Sequence, residues 1–223
     1  MPERPDYKGP DCATCRVVAC TAAPGTKPAP KFCPMPAEAE LLGQVRGRYL
    51  EEADLRRMAV ESARTEAAGY CEATRVEETM DFARRMGWRR LGIAHCMGLI
   101  KEAKIARDIF AAHGFEVFTV CCKTGSIDKE SIGLRDDEKV HPGEYEVQCN
   151  PVGQALLLAE AGTEMNVLMG LCVGHDSMFF MHSKAPTTVL VVKDRVLGHN
   201  PVAALYGVHQ YYRRLLEPEK DEA

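Results

Sequence analysis

The sequence has no long apolar run. No stretch reaches the 18 or so residues needed to cross a bilayer, and the opening MPERPDYKGPDCATCRVVAC lacks the apolar core of a secretory signal. A cytoplasmic protein without a membrane partner is therefore expected. Basic excess is missing as well: 28 Lys and Arg stand against 32 Asp and Glu, for a net charge of −4. The runs RRMGWRR and YYRRLL are short and suit solvated helix faces, so nucleic acid is not an expected partner. There is no internal repeat and no low-complexity tract. No Gly-x-Gly-x-x-Gly follows the first expected strand, where CMGLIKE has one glycine, and there is no Gly-x-Ser-x-Gly elbow. The ordinary dinucleotide dehydrogenase and the serine hydrolase thus lose their signatures.

Cysteine, in contrast, is abundant, with 10 among 223 residues. In a reducing compartment that number points to metal binding or thiol chemistry rather than to disulfides. The length allows one substantial α/β domain and an appendage, and 46% hydrophobic with 27% charged residues is the composition of a chain that buries a core. Residues 1–36 hold eight of the prolines and four of the cysteines without any apolar period, so this segment cannot fold by burial alone. Residues 37–88 are helical in pattern. Leu41, Val45, Tyr49, Leu55 and Met58 recur at helical spacing, in one long helix or two packed ones, and Thr74 with Glu77 forms a capping box that opens a helix stopped at Gly87.

From residue 89 to 223 strand and helix alternate. RLGIAHC, FEVFTVCC, MNVLMGLC and TTVLVVK read as strands. GLIKEAKIARDIFAAHG, PVGQALLLAEAG and HDSMFFMHS read as helices or helical turns between them, and NPVAALYGVHQYYRRLL as a last helix over the sheet. The expected fold is α/β: a doubly wound, mostly parallel, Rossmann-like sheet preceded by a cysteine-rich metal-binding segment and a helical linker.

The cysteines fall into two sets. Cys12, Cys15, Cys20 and Cys33 lie within 22 residues of irregular chain, where a metal would supply the folding energy the segment lacks. The opened second pair and the Cys33–Pro34 step favour an iron–sulfur cluster over zinc. Cys96, Cys121, Cys122 and Cys172 end successive strands, and Cys149 precedes a helix. In a parallel sheet all of these lie along the carboxyl edge, where open α/β folds bind ligands and where helix starts favour thiolates. They can hold a second metal or cluster, supply a nucleophile, or simply pack as small apolar residues. Beside Cys172 stand His175, a candidate acid, base or ligand, and Asp176, whose simplest role is a helix cap; Lys193 and Arg195 offer an anion clamp. His95 alternates to the other strand face and reads as structural. Cys71 reads as a buried filler, and His199 with Asn200 as a turn and cap.

Together CATCRVVAC, FCP, TRVEE, CMGLIKEA, CKTG, CNPVGQA, GLCVGHDSMF and KDRVLGHNPVAALY resemble the family called domain of unknown function 1847, over nearly the whole chain. That family is described as metal-binding and is found in archaea and anaerobic bacteria. The resemblance implies metal binding at Cys12, Cys15, Cys20 and Cys33 and brings no reaction with it. Two functions follow as expectations. One is a redox or sulfur-transfer enzyme acting on a small anionic or sulfur-containing molecule, with catalytic Cys172, His175, Asp176, Lys193 and Arg195 and cofactor-binding Cys96, Cys121, Cys122, Cys149 and Cys172. The other is a non-catalytic metal sensor or carrier built on the same cysteines.

Overall fold

The computed structural model describes residues 7–217. The chain divides into two units, Met1–Arg64 and Thr65–Ala223, so the helical stretch expected over 37–88 is shared between them.

In the N-terminal unit, short 3-10 turns at Cys12–Thr14 and Ala19–Thr21 precede α1 (Pro34–Ala37), α2 (Ala39–Glu51) and the first part of α3 (Ala53–Gly69). Glu52, in an extended conformation, breaks α2 from α3, which settles the choice between one helix and two. Leu41, Val45 and Tyr49, expected to form a packing stripe, are exposed, and no residue of α2 is buried.

The second unit begins with the end of α3 and with α4 (Arg75–Met86). Here the capping box is complete: the Thr74 side chain accepts from the Glu77 N–H, and the Glu77 carboxylate accepts from the Thr74 N–H at 2.7 Å. Gly87 closes the helix in a left-handed conformation. Between these helices Cys71 is exposed at φ 59°, so it is a turn residue and not the buried filler expected. There follow β1 (Arg90–His95), α5 (Ile100–Ala112), β2 (Glu116–Cys121), α6 (Pro151–Glu160), β3 (Met165–Met169), α7 (His175–His182), β4 (Thr187–Val191) and α8 (Val202–Tyr206).

The four strands form one all-parallel sheet in the order β2-β1-β3-β4. Both faces are covered, which is why β1 and β3 read as continuous apolar runs rather than alternating ones. On one face Leu91, Ile93, Met165 and Val167 pack with Met80 and Ala83 of α4 and with Ala103, Ala106 and Phe110 of α5. On the other, Ala94 and Leu168 pack with Ala155 and Leu158 of α6 and Phe179 of α7. Gly92 permits the second layer to come this close, since a Cβ there would stand 2.2 Å from Asn166 Oδ1 and 3.0 Å from Leu158.

The tail departs from expectation. Instead of a long helix over the sheet, α8 spans five residues, and turns and a 3-10 segment at Arg213–Leu216 follow, with no buried residue in either element. Leu205 and Tyr206 remain exposed, so no burial extends the helix beyond Gly207. No helix of the described residues is long and apolar enough to cross a membrane.

Candidate functional site

The strand order places β2 and β3 on either side of β1, so successive connections depart in opposite directions from the β1–β3 border. Ligands of open parallel sheets bind outside the carboxyl ends of the strands at such a border. Gly170, the first residue past β3, shapes it: φ is +68°, and a Cβ would lie 2.0 Å from Leu99 Cδ1, so only glycine lets the β3 exit lie against the start of the β1 loop. Cys96 leaves β1 and Cys172 leaves β3 at this border. Cys122 follows β2, and Cys149 immediately precedes α6, whose Asn150 N-cap accepts from the Gly153 N–H.

Three sulfurs meet there. Cys122 is buried, and its Sγ lies 3.8 Å from that of Cys149 while accepting from the Met97 N–H at 3.3 Å. Cys96 and Cys149 are half-buried on either side of it. The Cys122 thiol, by hydrogen bonding, does most to lower the Cys96 thiol, to about 4; the Gly98 N–H and Lys193, whose Nζ lies 3.2 Å from Cys96 Sγ, add to this against the cost of burial. Cys149 is lowered to about 5, again chiefly by Cys122, with the Lys123 and His175 charges assisting. Cys122 is pushed strongly up by its two sulfur neighbours and by burial. One proton cannot be donated to both neighbours at once, so the three sulfurs titrate as a group, with Cys122 holding the proton and Cys96 and Cys149 each favoured as the thiolate.

The cations come from loops after the strands. Lys123 follows Cys122 and donates both to Cys149 and to the Val147 carbonyl. Beyond β4, Lys193 reaches Cys96, and the Arg195 guanidinium lies 3.1 Å from Cys172 Sγ, its charge also acting on Cys96 and Cys149. Asp194 organises this loop: its carboxylate accepts from the Val196 and Leu197 N–H groups. Its own N–H donates to His199 Nδ1, and its carbonyl accepts from the His199 N–H. These bonds hold His199 at φ 67°, a turn role as expected. His175 begins α7 and lies 3.4 Å from Gln148 Nε2, at the Cys149 side of the site.

Not every expected member joins. Cys121, the last residue of β2, packs with the second apolar cluster, and its sulfur is not among these contacts. Asp176 is not the cap of α7; Gly174 holds that position, and the Asp176 carboxylate accepts from the adjacent Ser177 N–H. His95 is buried, bonded through Nδ1 to the Cys96 carbonyl. Sequence reasoning sets Lys123 and Thr124 at this edge, after the second strand, without giving Lys123 a role, and it passes over Gln148, whose only signal is its place before Cys149.

In the N-terminal unit Cys12 and Cys20 are exposed, Cys15 is intermediate and Cys33 buried. The Val18 N–H donates to Cys15 Sγ at 3.4 Å. Four thiols are suitable donors for a soft metal. Among the described residues, however, no three His, Cys, Asp or Glu side chains are drawn together as a metal-holding group, in either cysteine set.

Comparison with known proteins reaches into both units. The family described as "Protein of unknown function (DUF1847)" matches residues 33–190, a span that holds Cys33 and every edge cysteine and begins after Cys12, Cys15 and Cys20. The "Uncharacterized protein MJ0455" of Methanocaldococcus jannaschii is 47% identical over 169 residues, which cover 76% of this chain and 84% of that protein. With all but the last residue of its sheet and all of its edge thiols inside the matched span, the chain belongs to the DUF1847 family.

Proposed function

We propose that the protein is a cytoplasmic enzyme of sulfur redox or sulfur transfer, in which Cys96 is the nucleophile of a Rossmann-like, doubly wound domain. The observation that carries this reading is the convergence of Cys96, Cys122 and Cys149 at the carboxyl edge, with Lys193 on one outer sulfur and Lys123 on the other. A thiolate attacks sulfur; a thiol does not. Cys96 as thiolate attacks one sulfur of an S–S bond in a substrate, forming a Cys96–S–S bond and expelling the other sulfur as a thiolate. Sulfur transfer ends when an acceptor takes the sulfur from Cys96. In the redox variant Cys122 first passes its proton to the adjacent Cys149 thiolate and then, as a thiolate, attacks the Cys96 sulfur and expels the second substrate sulfur as a thiolate. The substrate disulfide is then reduced by two electrons, and the two cysteines are oxidised by two. Cys122 suits this second role because it is buried and protonated until its neighbour is consumed.

The test is alkylation by iodoacetamide, followed cysteine by cysteine by mass spectrometry between pH 5.5 and 8. Cys71, exposed and remote in kind from the site, is the internal reference. An ordinary thiol with a pKa near 8.5 reacts about tenfold faster with each pH unit over this range. Cys96 should react at a nearly constant rate, its thiolate already formed. A Cys96 profile parallel to that of Cys71 would overturn the reading.

A specific distance favours a second reading, metal sensing or carriage. The 3.8 Å between Cys122 and Cys149 Sγ is the separation of two thiolates sharing a tetrahedral ion with bonds of about 2.3 Å. A zinc or iron–sulfur centre at the edge, or at Cys12, Cys15, Cys20 and Cys33 as the spacing suggests, is tested by metal analysis and visible spectroscopy after anaerobic purification. Separate Cys12→Ser and Cys122→Ser variants assign any metal to its set.

A further inference from the structure

The loop after β4 carries two cations without carboxylate partners. Among the described residues Lys193 makes its side-chain bond to Cys96 Sγ and Arg195 its bond to Cys172 Sγ; neither ion-pairs with Asp or Glu. The nearest carboxylate in sequence, Asp194, is turned into the loop and occupied by two backbone N–H groups, and that of Asp176 is held by Ser177. One rigidly bonded turn therefore sets a positive charge on each side of the β1–β3 border. Arg195 is largely exposed, so its remaining N–H donors face whatever enters. Gly98 lies beside both groups: an added Cβ would make ordinary contacts there, 3.8 Å from Cys96 Sγ and 3.7 Å from Lys193 Nζ.

We infer that this turn is an anion clamp and that the substrate is a small anionic sulfane-sulfur donor of the thiosulfate or thiosulfonate class, held by Lys193 and Arg195 with its outer sulfur toward Cys96. This rests on the thiolate reading above and names the substrate for it. An anion approaching thiolates is repelled unless cations accompany it, and guanidinium and ammonium groups side by side are the means by which proteins hold oxyanions. The step balances without an added oxidant or reductant. The Cys96 thiolate forms a bond to the outer sulfur of thiosulfate; the S–S bond of thiosulfate breaks, and its electron pair leaves on sulfite. Cys96 is left as a persulfide anion, from which a nucleophilic acceptor such as cyanide takes the sulfur as thiocyanate and restores the thiolate.

The experiment compares alkylation of Cys96 by anionic iodoacetate and neutral iodoacetamide in the reduced full-length protein, wild type, Lys193→Met and Arg195→Met, and adds incubation with thiosulfate. A change in the Cys96 pKa affects both reagents alike, so their ratio isolates the clamp. The expected result is a fall of about tenfold in the iodoacetate to iodoacetamide ratio in each variant, together with a gain of one sulfur atom on the Cys96 peptide of the wild type after thiosulfate. An unchanged ratio in both variants, or no sulfur gained while iodoacetamide still reports a pH-independent thiolate, overturns the clamp and its substrate and leaves the thiolate reading standing. Iodoacetamide reactivity like that of Cys71 overturns both.

Discussion

Replacing Lys193 by Met should make Cys96 less reactive in acid and more reactive near neutrality. Lys193 Nζ lies 3.2 Å from Cys96 Sγ. At that distance a unit charge pair is worth about 1.3 kcal/mol in bulk water and about 5 kcal/mol at the effective dielectric of a protein surface. Cys96 is half-buried, so solvent screening keeps the value toward the lower end, about 1–3 kcal/mol, or about 1–2 pKa units. The Cys122 thiol and the Gly98 N–H remain, and they hold the variant below an ordinary thiol. Thiolate nucleophilicity rises with pKa with a coefficient of about 0.4–0.5, so the plateau rate should increase about three- to eightfold. The two pH–rate profiles for iodoacetamide therefore cross: the wild type is flat down to about pH 5, whereas the variant bends between about pH 5 and 6 and exceeds it above that. Coincident profiles, or a variant slower at every pH, would refute the pairing of Lys193 with Cys96 as the source of the effect.

Other consequences follow from the packing and the ionisation. Gly170→Ala should cost about 1–3 kcal/mol in urea unfolding, because φ is +68° and the new methyl meets Leu99; an unchanged midpoint would mean that the β3 exit is not confined. Phe179→Ala empties a fully buried position between α7 and the sheet, and should cost about 3–5 kcal/mol while Cys96 keeps its flat alkylation profile wherever the variant is folded. The stability difference between wild type and Cys96→Ala should grow as pH rises. A thiol lowered to about 4 on folding contributes nothing below that pH, contributes increasingly up to its unfolded value near 8.5, and contributes fully above it. Thermal midpoints measured from pH 5 to 8.5 should therefore diverge; parallel curves would show that folding leaves the Cys96 thiol as it is in the unfolded chain.

What could be read from the chain tracks how local each cause is. The α4 capping box needs only Thr74 and Glu77 three residues apart, and the four strands need only short apolar runs ended by polar turns; all appear where expected. The tail failed because its helix requires a partner surface, and no sequence window shows that Leu205 and Tyr206 lack one. At the edge, strand ends were enough to gather the cysteines, since parallel strands all finish on one side. Which of Cys121 and Cys122 enters the site depends on register: Cys121 is the last ladder partner, opposite His95, and Cys122 is the first residue beyond it, its N–H still bonded to the His95 carbonyl. The pairing of Lys193 with Cys96 spans 97 positions and depends on the turn that Asp194 and His199 close, which has no periodic signature.

That turn also bears on why three sulfurs can share the site. One thiol cannot donate to two thiolates at once, so the Cys122 proton alone does not stabilise both Cys96 and Cys149. Each outer sulfur needs a second, independent source of positive potential. Lys193 supplies it for Cys96, and Lys123 with His175 for Cys149. The Cys122 proton is then free to favour whichever thiolate remains after the other has reacted. The division between a spent and a waiting thiolate is thus set by loops that leave two different strands, β2 and β4, and it arises only once the sheet has formed.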